Sequence, residues 1–110
     1  MSKIMIGWTT VPTKEVGRDI AEGLLKERLV ACVHIEGPVT SLFYWNGELE
    51  QAEEYKLAIK FPSGKEVEIE QWIKRHHPYE LPQWVVVEID KVSQEYAYWA
   101  KKLGVTEEGK

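Results

Sequence analysis

The chain has 110 residues, 44% of them apolar and 29% charged, with a formal net charge of -4. That length fits one domain, residues 1–110, with apolar mass enough for a core that needs no disulfide or structural metal. The acidic balance argues against a nucleic-acid partner, and the single cysteine, Cys32, excludes an intrachain disulfide and suits a reducing compartment.

Lys3 to Thr10 opens with Ile4, Met5, Ile6 and Trp8, a short apolar run that fits a buried central strand. The run is too short for a signal-peptide core or a membrane span, so the expected location is cytoplasmic, with no membrane partner. Pro12 cannot donate to a ladder and ends the strand. Thr13 reads as an N-cap with Glu15 in the first turn. From there to Arg28 the periodicity is helical, with Val16, Ile20 and Leu24 in one row and Gly17, Ala21 and Leu25 in the next. Gly17 falls on the buried stripe, where close approach to a sheet would compensate its weak helix propensity.

The next stretch is the longest. Leu29 to Glu36 reads as a strand, pauses at Gly37-Pro38, and resumes as Val39 to Trp45. Asn46-Gly47 is a strong hairpin signal, because both residues tolerate the positive φ of a type I′ turn. The return arm runs from Glu48 to Phe61 and alternates Tyr55, Leu57, Ile59 and Phe61 against Lys56, Ala58 and Lys60. Each arm far exceeds the usual strand of about 5–6 residues. Such a ribbon outreaches a small domain, and its edges need a cover. A second copy of the chain is the expected cover, and five Trp with five Tyr supply interface-type side chains.

Pro62-Ser63-Gly64 turns the chain into a second helix, Lys65 to His76, with Ile69, Trp72, Ile73 and His76 on one stripe. His77-Pro78 stops it. Tyr79 to Pro82 is a loop, and Trp84 to Asp90 is a β-branched strand. Ser93 caps a last helix carrying Tyr96, Trp99, Ala100 and Leu103, and the tail from Thr106 is expected to fray. The order β-α-β-β-α-β with an added C-terminal helix predicts an α+β, ferredoxin-like sandwich whose first and third strands are central.

No P-loop, GxGxxG, CxxC, HExxH or GxSxG motif is present. Cys32, His34 and Glu36 alternate along the first hairpin arm and share one face, where Cys32 and His34 are placed to meet one copper or zinc ion. The alternative is a small buried thiol beside a hydrogen-bonded histidine. His76 lies on the apolar stripe and is expected to pack, whereas His77 lies off it and suits a helix C-terminus. Glu80 offers a loop carboxylate beside His77. Glu48, Glu50, Glu53 and Glu54 read as a solvated ribbon end. Lys56 and Lys60 share a face and are the candidate lining of an anion cleft. Cys32 and His77 would serve as nucleophile and base only if the fold joined them, and no residue stands out to orient the histidine.

Four ordered motifs carry a family resemblance. Leu25-x-x-x-Leu29-Val30-Ala31-Cys32-Val33, Thr40-Ser41-Leu42-Phe43-Tyr44-Trp45-Asn46-Gly47-Glu48-Leu49-Glu50, His77-Pro78-Tyr79-Glu80-x-Pro82 and Tyr96-x-x-Trp99 resemble segments of the CutA family, the divalent-cation-tolerance proteins. The resemblance implies a ferredoxin-like subunit in a homotrimer, built like the PII signalling proteins, with each long hairpin pairing with its neighbours. It also implies a non-enzymatic role linked to copper tolerance and divalent-metal binding, with no organic cofactor. Of the motif residues, His77 carries over as a metal-site residue. Glu80, Cys32 and His34 join it as candidate ligands from the reading of the residues. His34 stands where the family often has asparagine, and Thr9 and Gln83 stand where some members have a cysteine and an acid offered as copper ligands. The competing functions are a PII-like module binding a small anion or nucleotide between subunits, and a structural scaffold trimer.

Overall fold

The structure, a computed structural model, describes residues 3–105. Among these, four strands and three helices follow the predicted order: β1 Ile4–Val11, α1 Lys14–Lys26, β2 Cys32–Trp45, β3 Glu48–Pro62, α2 Glu66–His76, β4 Val85–Glu88 and α3 Gln94–Lys101. The strands form one antiparallel sheet in the order β2-β3-β1-β4, so β1 and β3 are central. The register Gly7↔Ile59 and Thr9↔Leu57 places the odd residues of β1 and β3 on one face. Leu57, Ile59 and Phe61 are buried there with Ile20, Leu24, Ile69 and Ile73 from α1 and α2.

Local chemistry explains the element ends. Thr13 caps α1, its hydroxyl accepting from the Val16 amide at 3.1 Å. Gly17 lets α1 settle on the sheet: a Cβ there would meet Leu57 Cδ2 at 3.1 Å and Val11 Cγ2 at 3.2 Å. At the other end Arg28 takes φ 60, and the Leu29 and Arg28 amides donate back to the Leu24 and Leu25 carbonyls. This is a Schellman cap with arginine where glycine is usual. The arginine is retained by what its side chain reaches: Arg28 Nη1 donates to the carbonyls of Leu103 and Gly104 at 3.2 and 2.8 Å. Because Leu29 serves this cap and Leu29 and Val30 both enter the core, β2 begins at Cys32, three residues later than the sequence pattern predicts.

The hairpin is as long as expected. Pairing runs from Cys32↔Lys60 to Trp45↔Glu48, broken only by a register shift between Glu36 and Val39 at Gly37-Pro38. Asn46 and Gly47 have φ of 53 and 80, the two positive values of a type I′ turn. The chain is correspondingly elongated, with extents of 47 × 26 × 23 Å. On the second face, the even residues of β1 and β3 meet α3, which Ser93 caps by accepting from the Tyr96 amide at 3.2 Å. β4 is shorter than predicted. Trp84 precedes it, because its ring turns inward over Gly7 and stacks on Phe61.

Candidate functional site

Two places gather the chemistry-bearing side chains. The first lies where β1 ends and the hairpin runs on alone. The β1–β3 pairing stops at Val11↔Tyr55, so the inner edge of β3 before Tyr55 is left to the 77–83 loop. His77 adopts extended backbone, φ -85 and ψ 139, as its position before Pro78 favours. Its ring therefore leaves the helix axis and swings under the loop. Nδ1 accepts from the Tyr79 amide at 3.1 Å, which leaves the proton on Nε2 to donate to the Thr10 carbonyl at 2.8 Å. His77 is buried, and that burial pulls its pKa below the usual 6.5, against the opposing pull of the Thr10 carbonyl and the Glu54 charge.

Tyr79 continues the chain of contacts. Its hydroxyl donates to Glu54 Oε2 at 2.6 Å. Burial and the Glu54 carboxylate push its pKa far above the usual 10. Glu54, read from sequence as part of a solvated ribbon end, is only 7% exposed. The signal that marks it is positional: it is the first β3 residue beyond the end of β1, where the loop needs an acceptor. Glu50, Glu54 and Glu80 line a cleft of about 870 Å³ with Thr10, Phe43 and Tyr79. No lysine or arginine lines it, so the predicted anion cleft built on Lys56 and Lys60 is not formed there. Lys56 instead pairs across the ladder with Glu36, and Lys60 lies 5.4 Å from the centre of the Tyr96 ring.

The two histidines exchange the roles expected of them. His76, placed by periodicity on the packed stripe, is exposed, stacks on Trp72 at 3.8 Å between ring centres, and donates from Nδ1 to the Trp72 carbonyl at 2.8 Å. His77, placed off the stripe, is the buried one. Periodicity fails here because the helix ends between them.

The second place is on the opposite end of the sheet face under α3. Cys32 and His34 stand on one side of β2, as alternation requires, with Cys32 Sγ 3.8 Å from His34 Nε2. Cys32 is half-buried and His34 exposed. Tyr96 of α3 comes down beside the thiol; its hydroxyl is buried with no hydrogen-bond partner among the described residues. Burial first, then the Cys32 thiol, raise the Tyr96 pKa. Tyr96 was readable as an inward α3 residue, but its meeting with Cys32 depends on how α3 crosses the sheet.

The candidate ligands thus fall into two groups, His77 with Glu80 and Cys32 with His34. Cys32 aligns through Lys60 with Ile6, whereas His77 bonds at Thr10. Four residues of strand separate these levels, about 13 Å. The fold therefore does not join Cys32 and His77 as nucleophile and base. Among the described residues no three His, Cys, Asp or Glu side chains converge to hold a metal ion.

The comparisons agree with this architecture. A family model described as CutA1 divalent ion tolerance protein matches residues 5–103. The "Divalent-cation tolerance protein CutA" of Thermus thermophilus is 37% identical over 93 residues, covering 84% of this chain and 90% of that protein. The crystal structure of divalent ion tolerance protein CutA1 from Ehrlichia chaffeensis superposes with a TM-score of 0.89 at 25% identity, covering 94% of this chain and 96% of that one. The periplasmic divalent cation tolerance protein CutA from Archaeoglobus fulgidus gives 0.88 at 31% identity, covering 91% and 97%. With the long hairpin, the 77–82 loop and the β2-β3-β1-β4 sheet all in place, this chain belongs to the CutA1 divalent ion tolerance family.

Proposed function

We propose that this protein is a non-catalytic, divalent-cation-binding homotrimer of one domain, residues 1–110, acting in the cytoplasm. The observation that carries the reading is the cleft beside the hairpin. Its wall holds the carboxylates of Glu50, Glu54 and Glu80, and its rim is apolar, with Leu42, Phe43, Trp45 and Leu81 all exposed. Carboxylate oxygens suit divalent cations, and an exposed apolar rim around them suits closure by a neighbouring subunit. Trimer formation through the hairpin would supply the ligands that one chain lacks. Copper and zinc are the cations to test.

In this reading Glu80 supplies a donor at the subunit boundary. His77 fixes the loop that carries it, and becomes a donor itself only when its Nδ1 lone pair is released from the Tyr79 amide. Cys32 and His34 form a separate, softer pair. No helix among the described residues is long and apolar enough to cross a membrane. The cytoplasmic assignment rests on the single unpaired thiol, and the periplasmic relative from Archaeoglobus makes fractionation a worthwhile check. Native mass spectrometry with and without copper(II) or zinc, joined to calorimetric titration, tests the proposal. A trimer mass is expected, with weaker divalent binding in Glu80→Gln and His77→Ala. A monomer, or equal affinity in wild type and both variants, would overturn it.

A further inference from the structure

α3 crosses the second face of the sheet and is held at both ends. Its buried Ala100 faces β1 and β3. Near its start, Tyr96 lies beside the Cys32 thiol, and the Lys60 ammonium stands 5.4 Å from the centre of the Tyr96 ring. At its other end the contact is the Arg28 guanidinium, whose Nη1 donates to the carbonyls of Leu103 and Gly104 at 3.2 and 2.8 Å. Leu103 and Gly104 lie past the last turn of α3 in left-handed backbone, φ 53 and 72, and present those carbonyls together. A cation at this end also meets the negative pole of the helix.

The same arginine ends α1. It does so in left-handed backbone, φ 60, which glycine adopts without strain and an L side chain does not. Glycine at position 28 would therefore end α1 better and leave α3 without this contact. Gly104 is fitted to the guanidinium from the opposite side, since a Cβ there would stand 2.7 Å from Nη1. The ends of two helices far apart in sequence thus share one contact. Arg28 is exposed, so the contact is made and broken in water and holds α3 reversibly.

We propose that α3 is a lid over the second face of the sheet, and that Arg28 is the latch that sets how often the lid lifts while the sheet stays folded. Elements with little buried surface supply the low-energy openings of a protein. α3 has 8 residues and buries Ala100, whereas β3 below it is paired on both sides, with β1 and with β2. Beneath the lid lies the Cys32 thiol, under Tyr96, and lifting α3 opens that thiol to solvent. The latch therefore meters access to the chain's single cysteine. The inference goes beyond the cation reading and does not depend on it, because no ion takes part.

The test combines hydrogen exchange, read by mass spectrometry under native conditions, with alkylation of Cys32 by iodoacetamide. Arg28→Gly removes the latch and the backbone strain, and Arg28→Ala removes the latch and keeps the strain. In both, α3 amides should exchange and Cys32 should alkylate about tenfold faster than in wild type, the effect of losing two exposed, charge-assisted hydrogen bonds. Amides of β1 and β3 should keep their wild-type rates. Gly104→Ala, whose Cβ would press on Nη1, should act in the same direction, and its effect should shrink in the Arg28→Gly background because both changes break one contact. Wild-type α3 exchange in Arg28→Gly would overturn the latch, since the arginine would then serve α1 alone. Acceleration of β3 in step with α3, an unchanged alkylation rate while α3 opens, or an undiminished effect of Gly104→Ala in the double variant would overturn the proposal as well.

Discussion

His77 is stable in its place only as a neutral ring. Its Nδ1 must keep a lone pair for the Tyr79 amide while Nε2–H serves Thr10. Protonation would set an N–H against an N–H in a buried position, and burial already lowers the pKa from 6.5. A depressed folded-state pKa means that the unfolded chain binds the proton first as pH falls. The stabilising contribution is thus complete above about 6.5, the unfolded value, and is lost as pH drops through that value toward the folded one. Thermal unfolding followed from pH 7 to 5 should show a falling midpoint, at fixed protein concentration. His77→Gln should lower the midpoint at pH 7 and flatten this slope; parallel profiles would show that the histidine is not the group titrating. Glu54 and Tyr79 belong to the same contact chain, so this variant should also loosen the wall that carries Glu80.

At the scale of elements, the hairpin turn is the most local commitment in the fold. Gly47 sits at φ 80 and a Cβ there would meet nothing within 4 Å, so substitution costs backbone strain alone. Gly47→Val should destabilise by about 1–2 kcal/mol or more, read from denaturant midpoints at one protein concentration. An unchanged midpoint would contradict the turn geometry. This turn was legible because Asn-Gly acts through its own φ angles and needs no distant partner. The caps at Thr13 and Ser93 and the alternation of Leu57, Ile59 and Phe61 were legible for the same reason. What escaped reading depends on distant residues. Leu29 looks like strand but closes the α1 cap, with Val30 in the core behind it, because Arg28 is anchored on Leu103 and Gly104. Glu54 looks solvated until the Tyr79 loop is folded against it. Cys32 and His34 were readable as neighbours by alternation, while Tyr96, arriving from α3, was not.

At the scale of the whole molecule, one chain leaves one of its two long strands as an edge. β2 lies at the margin of the sheet, so its outer backbone groups have no partner strand among the described residues. The same ribbon shows Leu42, Tyr44 and Leu49 to solvent at 67%, 74% and 67% exposure. A long unpaired edge beside apolar side chains is prone to indiscriminate association. Closed pairing with further copies would cover the edge and the apolar rim together, and an obligate interface of that kind should bury more than about 2,000 Å². Light scattering at micromolar concentration should then give three times the 12.8 kDa chain mass. Replacing Leu42 and Leu49 by aspartate should shift the mass toward one chain, because each carboxylate would lose its water on assembly. The core residues on β3 lie beyond these positions, so the far-ultraviolet spectrum should keep its helical signal. A wild-type mass of one chain would reject the trimer outright. A double variant that stays trimeric would move the interface away from the hairpin, and the cation proposed for the cleft would lose its second set of ligands.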